Sequence, residues 1–190
     1  MHTSARVLVM PETESLEPCN TNNIILIGMP ACGKSTLGVL LAKALNYRFL
    51  DSDLVIQEQT GKLLKELIQE HGIEGFNQIE NDVNAMINVD HTIVATGGSA
   101  VYGADAMKHF KEIGSVVYLK FSYKEVSRRL GDLDERGVVH RPDQTLRDLY
   151  NERTALYEKY ADITIEEPDG NPNIANLLAD AISVLRDCGF

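Results

Sequence analysis

The fold is decided by residues 24–36, which read IILIGMPACGKST. The four leading aliphatic residues predict a buried parallel strand, and the GxxxxGKS segment at 28–35 leads into residues 37–45, which have the apolar spacing of a helix. Glycines allow the backbone N–H groups of such a loop to converge on phosphate oxygens, and the helix N-terminus adds a partial positive charge. The stretch therefore predicts a phosphate-binding loop and the binding of a nucleoside triphosphate.

Side chains of this loop have expected roles in such a site. We expect Lys34 to reach the β- and γ-phosphates and the Ser35 hydroxyl to ligate Mg²⁺. Cys32 is interpreted as a small residue that fits the loop, in preference to a redox switch, because a switch requires a perturbed thiol pKa. The residues predicted to bind ATP in this segment are Gly28, Ala31, Cys32, Gly33, Lys34, Ser35 and Thr36.

Composition limits the classes of function that are open to the chain. Its 190 residues are the size of one domain, and its formal net charge is −10. This acidic balance argues against a nucleic-acid partner and against binding to an anionic membrane surface. Three cysteines, Cys19, Cys32 and Cys188, have neither metal-ligand nor secreted-disulfide spacing, which favours a reducing cytoplasm.

Polarity and periodicity divide the chain into an extension and one domain. We interpret residues 1–23 as an N-terminal extension and residues 24–190 as the domain. Residues 54–88 have a helical pattern broken at two glycine positions and lie between two expected strands. Residues 131–144 are polar and aperiodic, which predicts a mobile loop that closes over the nucleotide, with a solvated charged loop as the alternative.

Two further strands end in residues that suit a binding site. Residues 47–53 predict a strand that ends in Asp51 and Asp53, and carboxylates at the C-terminal end of a parallel strand face the crevice where ligands bind. A turn that caps the following helix is the alternative for these acids. Residues 92–99 predict a strand followed by a Gly-Gly turn, which either lets the backbone approach a ligand closely or is a plain tight turn.

Seven short segments carry a resemblance to a known family. They are GMPACGKSTLG at 28–38, DSD at 51–53, FNQIE at 76–80, TGGSAV at 96–101, VVYL at 116–119, RTALY at 153–157 and AD at 161–162. In this order and approximate spacing the segments resemble the shikimate kinases. The resemblance covers about residues 23–165.

The resemblance implies an α/β fold. This fold is a P-loop three-layer α/β/α sandwich around a five-stranded parallel sheet, of the nucleoside monophosphate kinase kind. It carries a lid at about 131–144 and a substrate-binding helical insert at about 54–88. The implied activity is transfer of the γ-phosphoryl group of ATP to a hydroxyl of a small substrate, with shikimate as the first candidate and ATP and Mg²⁺ as cofactors. A cytoplasmic monomer is the expected state.

Roles carry over from the family position by position. Asp51 is implied to support the Mg²⁺ shell, and Asp53 to hold the substrate hydroxyls and accept the proton of the attacking one. Arg153 is implied to bind the substrate carboxylate, Arg129 to lie against the adenine, and Arg136 to enter from the lid and meet the phosphates. The implied catalytic residues are Lys34, Asp53 and Arg136; the implied metal ligands are Ser35 and Asp51; the implied substrate-binding residues are Asp53, Asn77, Gly97, Gly98, Ser99 and Arg153.

Departures from the family pattern concentrate on the acceptor side. Asn77 stands where the family has an arginine that grips the shikimate carboxylate, so a charge-assisted contact worth about 1.5 to 3 kcal/mol is missing. Ser99 replaces a glycine, which restricts the backbone if that position needs a positive φ. Arg141 in the lid is a candidate to replace the missing guanidinium.

These departures keep other functions open. One is a shikimate-kinase-like enzyme whose acceptor is a different hydroxylated metabolite, such as a polyol, a hydroxy acid or a hydroxy amino acid. A second is a nucleotide-binding regulatory module without kinase activity, although such a binder would not require Asp53. A nucleoside monophosphate kinase is the third, and the DSD and GGS segments resemble the shikimate pattern instead.

Overall fold

A five-stranded parallel sheet forms the centre of the protein. The computed structural model describes residues 22–131, 138–141, 143–167 and 173–190. The sheet has the strand order β2-β3-β1-β4-β5. The strands are β1 (Asn23–Ile27), β2 (Arg48–Asp51), β3 (Thr92–Ala95), β4 (Gly114–Lys120) and β5 (Ile163–Glu166).

Helices cover the sheet and connect its strands. They are α1 (Lys34–Leu45), α2 (Ser52–Thr60), α3 (Leu64–Ala85), α4 (Ala104–Ile113), α5 (Tyr123–Leu130), α6 (Leu146–Tyr160) and α7 (Ile174–Asp187), with a short 3₁₀ turn at Ala100–Tyr102. No described helix combines the length and the apolar character needed to cross a bilayer. The parallel sheet and its crossover helices confirm the predicted α/β class.

The strand β1 is central because its sequence is apolar on both faces. All five of its residues are buried, and Ile25 lies in register with Val94 of β3 on one side and Val116 of β4 on the other. A strand between two parallel neighbours and beneath helices on both faces buries every side chain, which explains the unbroken aliphatic run. The phosphate loop follows the C-terminal end of β1 and therefore begins at the centre of the sheet.

Close packing holds α1 against the sheet. A Cβ atom on Gly38 would lie 2.6 Å from the Phe49 ring, so the absence of a side chain allows helix and strand to approach. The loop before α1 uses left-handed backbone at Ala31, with φ of 60°, and at Gly33, with φ of 91°. These two positions turn the chain from the strand into the first helical residue, Lys34.

The helical insert is built from α2 and α3. The predicted breaks are real but differ in kind, because Gly61 ends α2 in a left-handed conformation whereas Gly72, with φ of 69°, kinks α3 without ending it. A second small core forms here. It consists of Ile56, Leu67, Phe76, Val83 and Val139. Val139 comes from the predicted lid segment, so the end of that segment packs on the insert.

Part of the predicted lid lies outside the described residues. Positions 132–137 and 142 belong to that part, and Arg136 is among them. The predicted extension at 1–23 likewise lies outside, except for its last two residues. The described end of the lid leads into α6, which begins with a reciprocal capping box between Thr145 and Asp148.

Candidate active site

Lys34 lies along the inside of the phosphate loop. It is buried, and its ammonium group donates hydrogen bonds to the carbonyl oxygens of Gly28 at 2.8 Å and Met29 at 3.0 Å. Gly28 has a φ of 148°, and a Cβ there would lie 2.8 Å from the carbonyl oxygen of Leu119. The tight turn therefore depends on glycine and places a charged donor where phosphates are expected to bind.

Ser35 and Asp51 form an oxygen pair beside Lys34. The Ser35 hydroxyl donates to Oδ2 of Asp51 at 2.7 Å, and Oδ1 of Asp51 accepts from the backbone N–H of Asp53 at 3.0 Å. Asp51 is thus the N-cap of α2, which confirms the capping interpretation for this acid. A hydroxyl and a carboxylate suit Mg²⁺, which prefers oxygen ligands and keeps several of its own waters.

The described residues contain no cluster of three or more His, Cys, Asp or Glu side chains that could hold a metal by themselves. A magnesium ion at Ser35 and Asp51 would therefore share its coordination with nucleotide phosphates. That arrangement is typical of phosphoryl-transfer sites.

A cavity of about 570 Å³ joins the phosphate loop to α5 and α7. Its walls include Ala31, Gly33, Thr36 and Arg129. The Arg129 guanidinium lies 4.5 Å from the centre of the Phe121 ring and hydrogen-bonds Glu125. The structure thus brings three of the predicted loop residues together with the arginine predicted to contact adenine.

Cys32 is one of four predicted loop residues that do not line this cavity, and the others are Gly28, Lys34 and Ser35. The Cys32 side chain is buried in the main core, and its sulfur lies 3.8 Å from the Lys34 ammonium. The whole residue is 1% exposed, and its backbone N–H donates to the carbonyl oxygen of Met29 at 3.3 Å. The interpretation of Cys32 as a small residue that fits the loop agrees with this packing.

Two carboxyl groups meet at the start of the Gly-Gly turn. A Cβ on Gly97 would lie 2.9 Å from Oδ1 of Asp53 and 2.3 Å from Oε1 of Glu80. Burial, followed by the charge of Asp51, raises the pKa of Asp53 to about 6 against the opposing charge of Lys34. A carboxyl group with such a pKa is suited to accept a proton near neutral pH.

Glu80 is the site residue that the sequence analysis did not single out. It is 1% exposed, and neither of its carboxylate oxygens has a well-formed hydrogen bond to a described residue. Burial raises its pKa to about 7, although the nearby Ser99 hydroxyl and the charge of Arg153 oppose this shift. The available signal was helical spacing, because position 80 shares the buried face of α3 with Phe76 and Val83.

The glycines of the turn are needed for space and not for a left-handed backbone. Neither Gly97 nor Gly98 has a positive φ, but a Cβ on Gly98 would lie 2.7 Å from the Pro30 ring. Ser99 has a φ of −93°, so this position does not need a positive φ and the conditional backbone restriction does not apply. Because serine adopts this conformation without strain, the replacement of glycine leaves the turn intact.

Arg153 is held rigidly on the buried face of α6. Its side chain is 1% exposed; one guanidinium nitrogen donates to the Val139 carbonyl at 2.5 Å and Nε donates to the Tyr102 hydroxyl at 3.4 Å. Gly98 is also held from α6, since the Tyr157 hydroxyl donates to its carbonyl at 2.6 Å. The predicted carboxylate-binding arginine therefore lies beside the Gly-Gly turn.

A second cavity, of about 540 Å³, contains one of the departures from the family pattern. Asn77 and Arg141 both line it, together with Tyr102, Gln144 and Glu152. Oδ1 of Asn77 is buried without a hydrogen bond to any described residue. The structure therefore brings the candidate replacement cation into the same cavity as the asparagine, which sequence spacing alone could not establish.

Comparisons with known proteins identify what the chain is similar to. The family model described as shikimate kinase matches residues 30–183. A shikimate kinase of Nitrosospira multiformis is 33% identical over 173 residues, which cover 89% of each chain. A shikimate kinase of Nostoc punctiforme is 38% identical over 165 residues, which cover 84% of this chain and 90% of the other.

Solved structures agree with the sequence relatives. A shikimate kinase from Acinetobacter baumannii, solved in complex with shikimate, superposes with a TM-score of 0.78 at 28% identity and covers 90% of this chain and 96% of its own. The shikimate kinase of Aquifex aeolicus superposes with a TM-score of 0.73 at 26% identity, covering 88% of this chain and 98% of its own. The fold is therefore common to this chain and to both solved shikimate kinases.

Proposed function

This chain belongs to the shikimate kinase family, and on that premise we propose that it transfers the γ-phosphoryl group of ATP to a ring hydroxyl of shikimate, forming shikimate 3-phosphate. The observation that carries the proposal is the placement of Asp53. Its carboxyl group lies against Gly97, next to Glu80, and its charge is influenced by Lys34 of the phosphate loop. A base is thus available beside the Gly-Gly turn and under the electrostatic influence of the phosphate-binding loop.

Positioning and charge stabilisation account for the phosphate side of the reaction. Lys34 exchanges its bonds to loop carbonyls for phosphate oxygens and stabilises the charge that develops on the transferred group. Ser35 and Asp51 would hold Mg²⁺, which when bound neutralises phosphate charge. Arg129 would lie against the adenine, in keeping with its place on the wall of the 570 Å³ cavity.

Asp53 provides the acid–base chemistry at the acceptor. The acceptor oxygen forms a bond to the γ-phosphorus as the bond from that phosphorus to the bridging oxygen breaks, and ADP leaves. The hydroxyl proton passes to the Asp53 carboxylate, whose raised pKa suits this transfer. Glu80 is buried against the same glycine and therefore borders the proposed base.

Arg153 and the Gly-Gly turn orient the acceptor. The buried guanidinium of Arg153 would bind the substrate carboxylate, and Gly97 and Gly98 would present backbone to the ring. Ser99 and Asn77 would add neutral hydrogen bonds. These assignments rest on the contacts within the cluster and on the family relationship.

Arg136 belongs to the part of the lid outside the described residues, and it would meet the phosphates as the lid closes.

We also propose that the protein works as a monomer in the cytoplasm. Cysteine usage supports a reducing compartment, since Cys32 and Cys188 are free thiols. Size-exclusion chromatography with light scattering tests the monomer.

The test of the proposal is ADP release with Mg-ATP and shikimate. We expect turnover that Lys34→Met lowers by at least about 100-fold, because the loop lysine stabilises transition-state charge. Lys43→Ala is the matched control, since this lysine is exposed in the last turn of the same helix and should leave the rate unchanged. ATP hydrolysis that does not respond to shikimate would contradict the proposed acceptor.

A further inference from the structure

A set of donors that binds a carboxylate already exists in the second cavity, and Glu152 occupies it. Oε1 of Glu152 accepts from the Tyr102 hydroxyl at 2.7 Å, and Oε2 accepts from the amide of Gln144 and the guanidinium of Arg141, both at 2.8 Å. Burial alone would raise the pKa of Glu152, but the hydrogen bond from Arg141 and then that from Tyr102 outweigh it, and the pKa is lowered. Glu152 is therefore an ionised carboxylate with three donors.

Arg141 supplies the positive charge of this cavity. Among the described residues that line it, Arg141 is the one with a permanent positive charge, because the others are neutral, acidic or histidine. Its side chain is 63% exposed and Glu152 is 31% exposed, so the pair lies at the mouth of the cavity and within reach of a small solute. An ion pair this exposed is weak and exchanges its partner at little cost.

Tyr102 connects this set to Arg153. The Tyr102 hydroxyl donates to Glu152 and accepts the long hydrogen bond from Arg153. The guanidinium carbon of Arg153 lies 5.3 Å from the centre of the Tyr102 ring. The carbonyl of Val139, which accepts from Arg153, lies on the wall of the same cavity. Two guanidinium groups are thus separated by one tyrosine and one glutamate.

We propose that Arg141 binds the carboxylate of the acceptor together with Arg153, and that it leaves Glu152 to do so. A substrate carboxylate presents the same pair of oxygens as Glu152, so the guanidinium is already oriented for it. Tyr102 and Gln144 continue to hold Glu152 after the exchange. Arg141 is therefore a specificity-determining residue, and Glu152 is an internal competitor that sets acceptor affinity. This inference rests on the proposed function.

Asn77 is consistent with this arrangement. It lines the same cavity but brings no charge, and its buried Oδ1 has no described partner. An arginine at that position would share the carboxylate with Arg141. The neutral side chain instead leaves the carboxylate to the guanidinium that enters from the lid segment.

The test compares shikimate with its uncharged methyl ester, using ADP release in the full-length protein. In Arg141→Ala we expect the KM for shikimate to rise 10- to 100-fold, while the KM for ATP stays within about twofold. The preference for shikimate over the ester should collapse in this variant, because the lost interaction is with the carboxylate charge. Arg186→Ala, which removes an exposed arginine at the end of α7, is the control and should retain the preference.

Glu152→Gln tests the competition. The amide keeps the shape of the side chain but removes its charge, so the KM for shikimate should fall severalfold while that for the ester stays the same. In a protein that already carries Arg141→Ala, Glu152→Gln should not lower the KM for shikimate. A thermal denaturation midpoint near that of the wild type identifies variants that have folded.

The outcomes separate this inference from the proposed function. In one outcome the wild type phosphorylates shikimate, but Arg141→Ala loses activity equally with shikimate and with the ester. This result would assign Arg141 a structural role and would overturn the inference alone. Wild-type protein that releases no ADP with shikimate would overturn both. Loss of acid preference in Arg141→Ala, absent in Arg186→Ala, supports the inference.

Discussion

Asn77 and Glu80 lie one helical turn apart in α3, and both keep buried side-chain oxygens without a well-formed hydrogen bond to a described residue. Residues three apart on a helix share a face, so the two side chains lie next to each other. A buried carboxyl group without a partner is costly, which explains the raised pKa of Glu80. The pair therefore marks a buried part of the site whose side-chain acceptor atoms lack well-placed donors among the described residues.

Replacing Asn77 with arginine should add a guanidinium group to the acceptor side of the site. We expect Asn77→Arg to lower the KM for shikimate by about one to two orders of magnitude, because a charge-assisted contact is worth about 1.5 to 3 kcal/mol. Steady-state kinetics at saturating ATP measure the change. Asn77→Gln is the matched control, since it adds length without charge. No gain in kcat/KM would mean that the cavity has no room for a second guanidinium beside the carboxylate.

Glu80 should make stability depend on pH. Its pKa is about 7 in the folded protein and near 4.5 when unfolded, so folding holds the proton more tightly. The stabilisation by the protonated form is complete below pH 4.5 and is lost as the pH rises through 7.

Glu80→Gln removes this dependence because its amide does not titrate. Relative to the wild type, the free energy of unfolding of the variant should increase by about 2 to 3 kcal/mol between pH 5 and pH 8. Urea denaturation at the two pH values measures it. Parallel stability curves for both proteins would show that Glu80 is not the titrating group.

Asp53 should control the pH dependence of the rate. A general base acts only when ionised, and burial together with Asp51 raises the pKa of Asp53 to about 6. At low concentrations of both substrates the rate should therefore fall about tenfold per pH unit below pH 6 and level off above pH 7. Asp53→Asn should remove most of the activity. A rate that stays constant from pH 5 to pH 7 would rule out this base.

A methyl group at Gly97 should disturb two side chains together. Its Cβ would lie 2.3 Å from Oε1 of Glu80 and 2.9 Å from Oδ1 of Asp53, so Gly97→Ala should cost about 1 to 3 kcal/mol of stability and displace the proposed base. Thermal denaturation and ADP release measure the two effects. Adding Glu80→Asp shortens one obstructing side chain and should restore part of the stability, but full activity in Gly97→Ala alone would contradict the packing.

The local patterns of the chain determined the fold class and the phosphate loop. The aliphatic run at 24–27 and the glycines at 28 and 33 act over a few residues, so strand, loop and helix follow from short-range sterics and burial. The helix predicted at 37–45 lies within α1 for the same reason. The placement of Asp51 and Asp53 could also be predicted from the sequence, because acids at the end of a strand lie at one edge of the sheet.

Only the tertiary structure decided how the acceptor side is built. Glu80 meets Asp53 across Gly97, and Arg141 shares a cavity with Asn77, although these residues are 27 or more positions apart in the sequence. Such contacts arise because α3, the 3₁₀ turn and α6 pack at the same edge of the sheet, and no local periodicity encodes that packing. Burial then sets the charge states that the isolated residue types would not have.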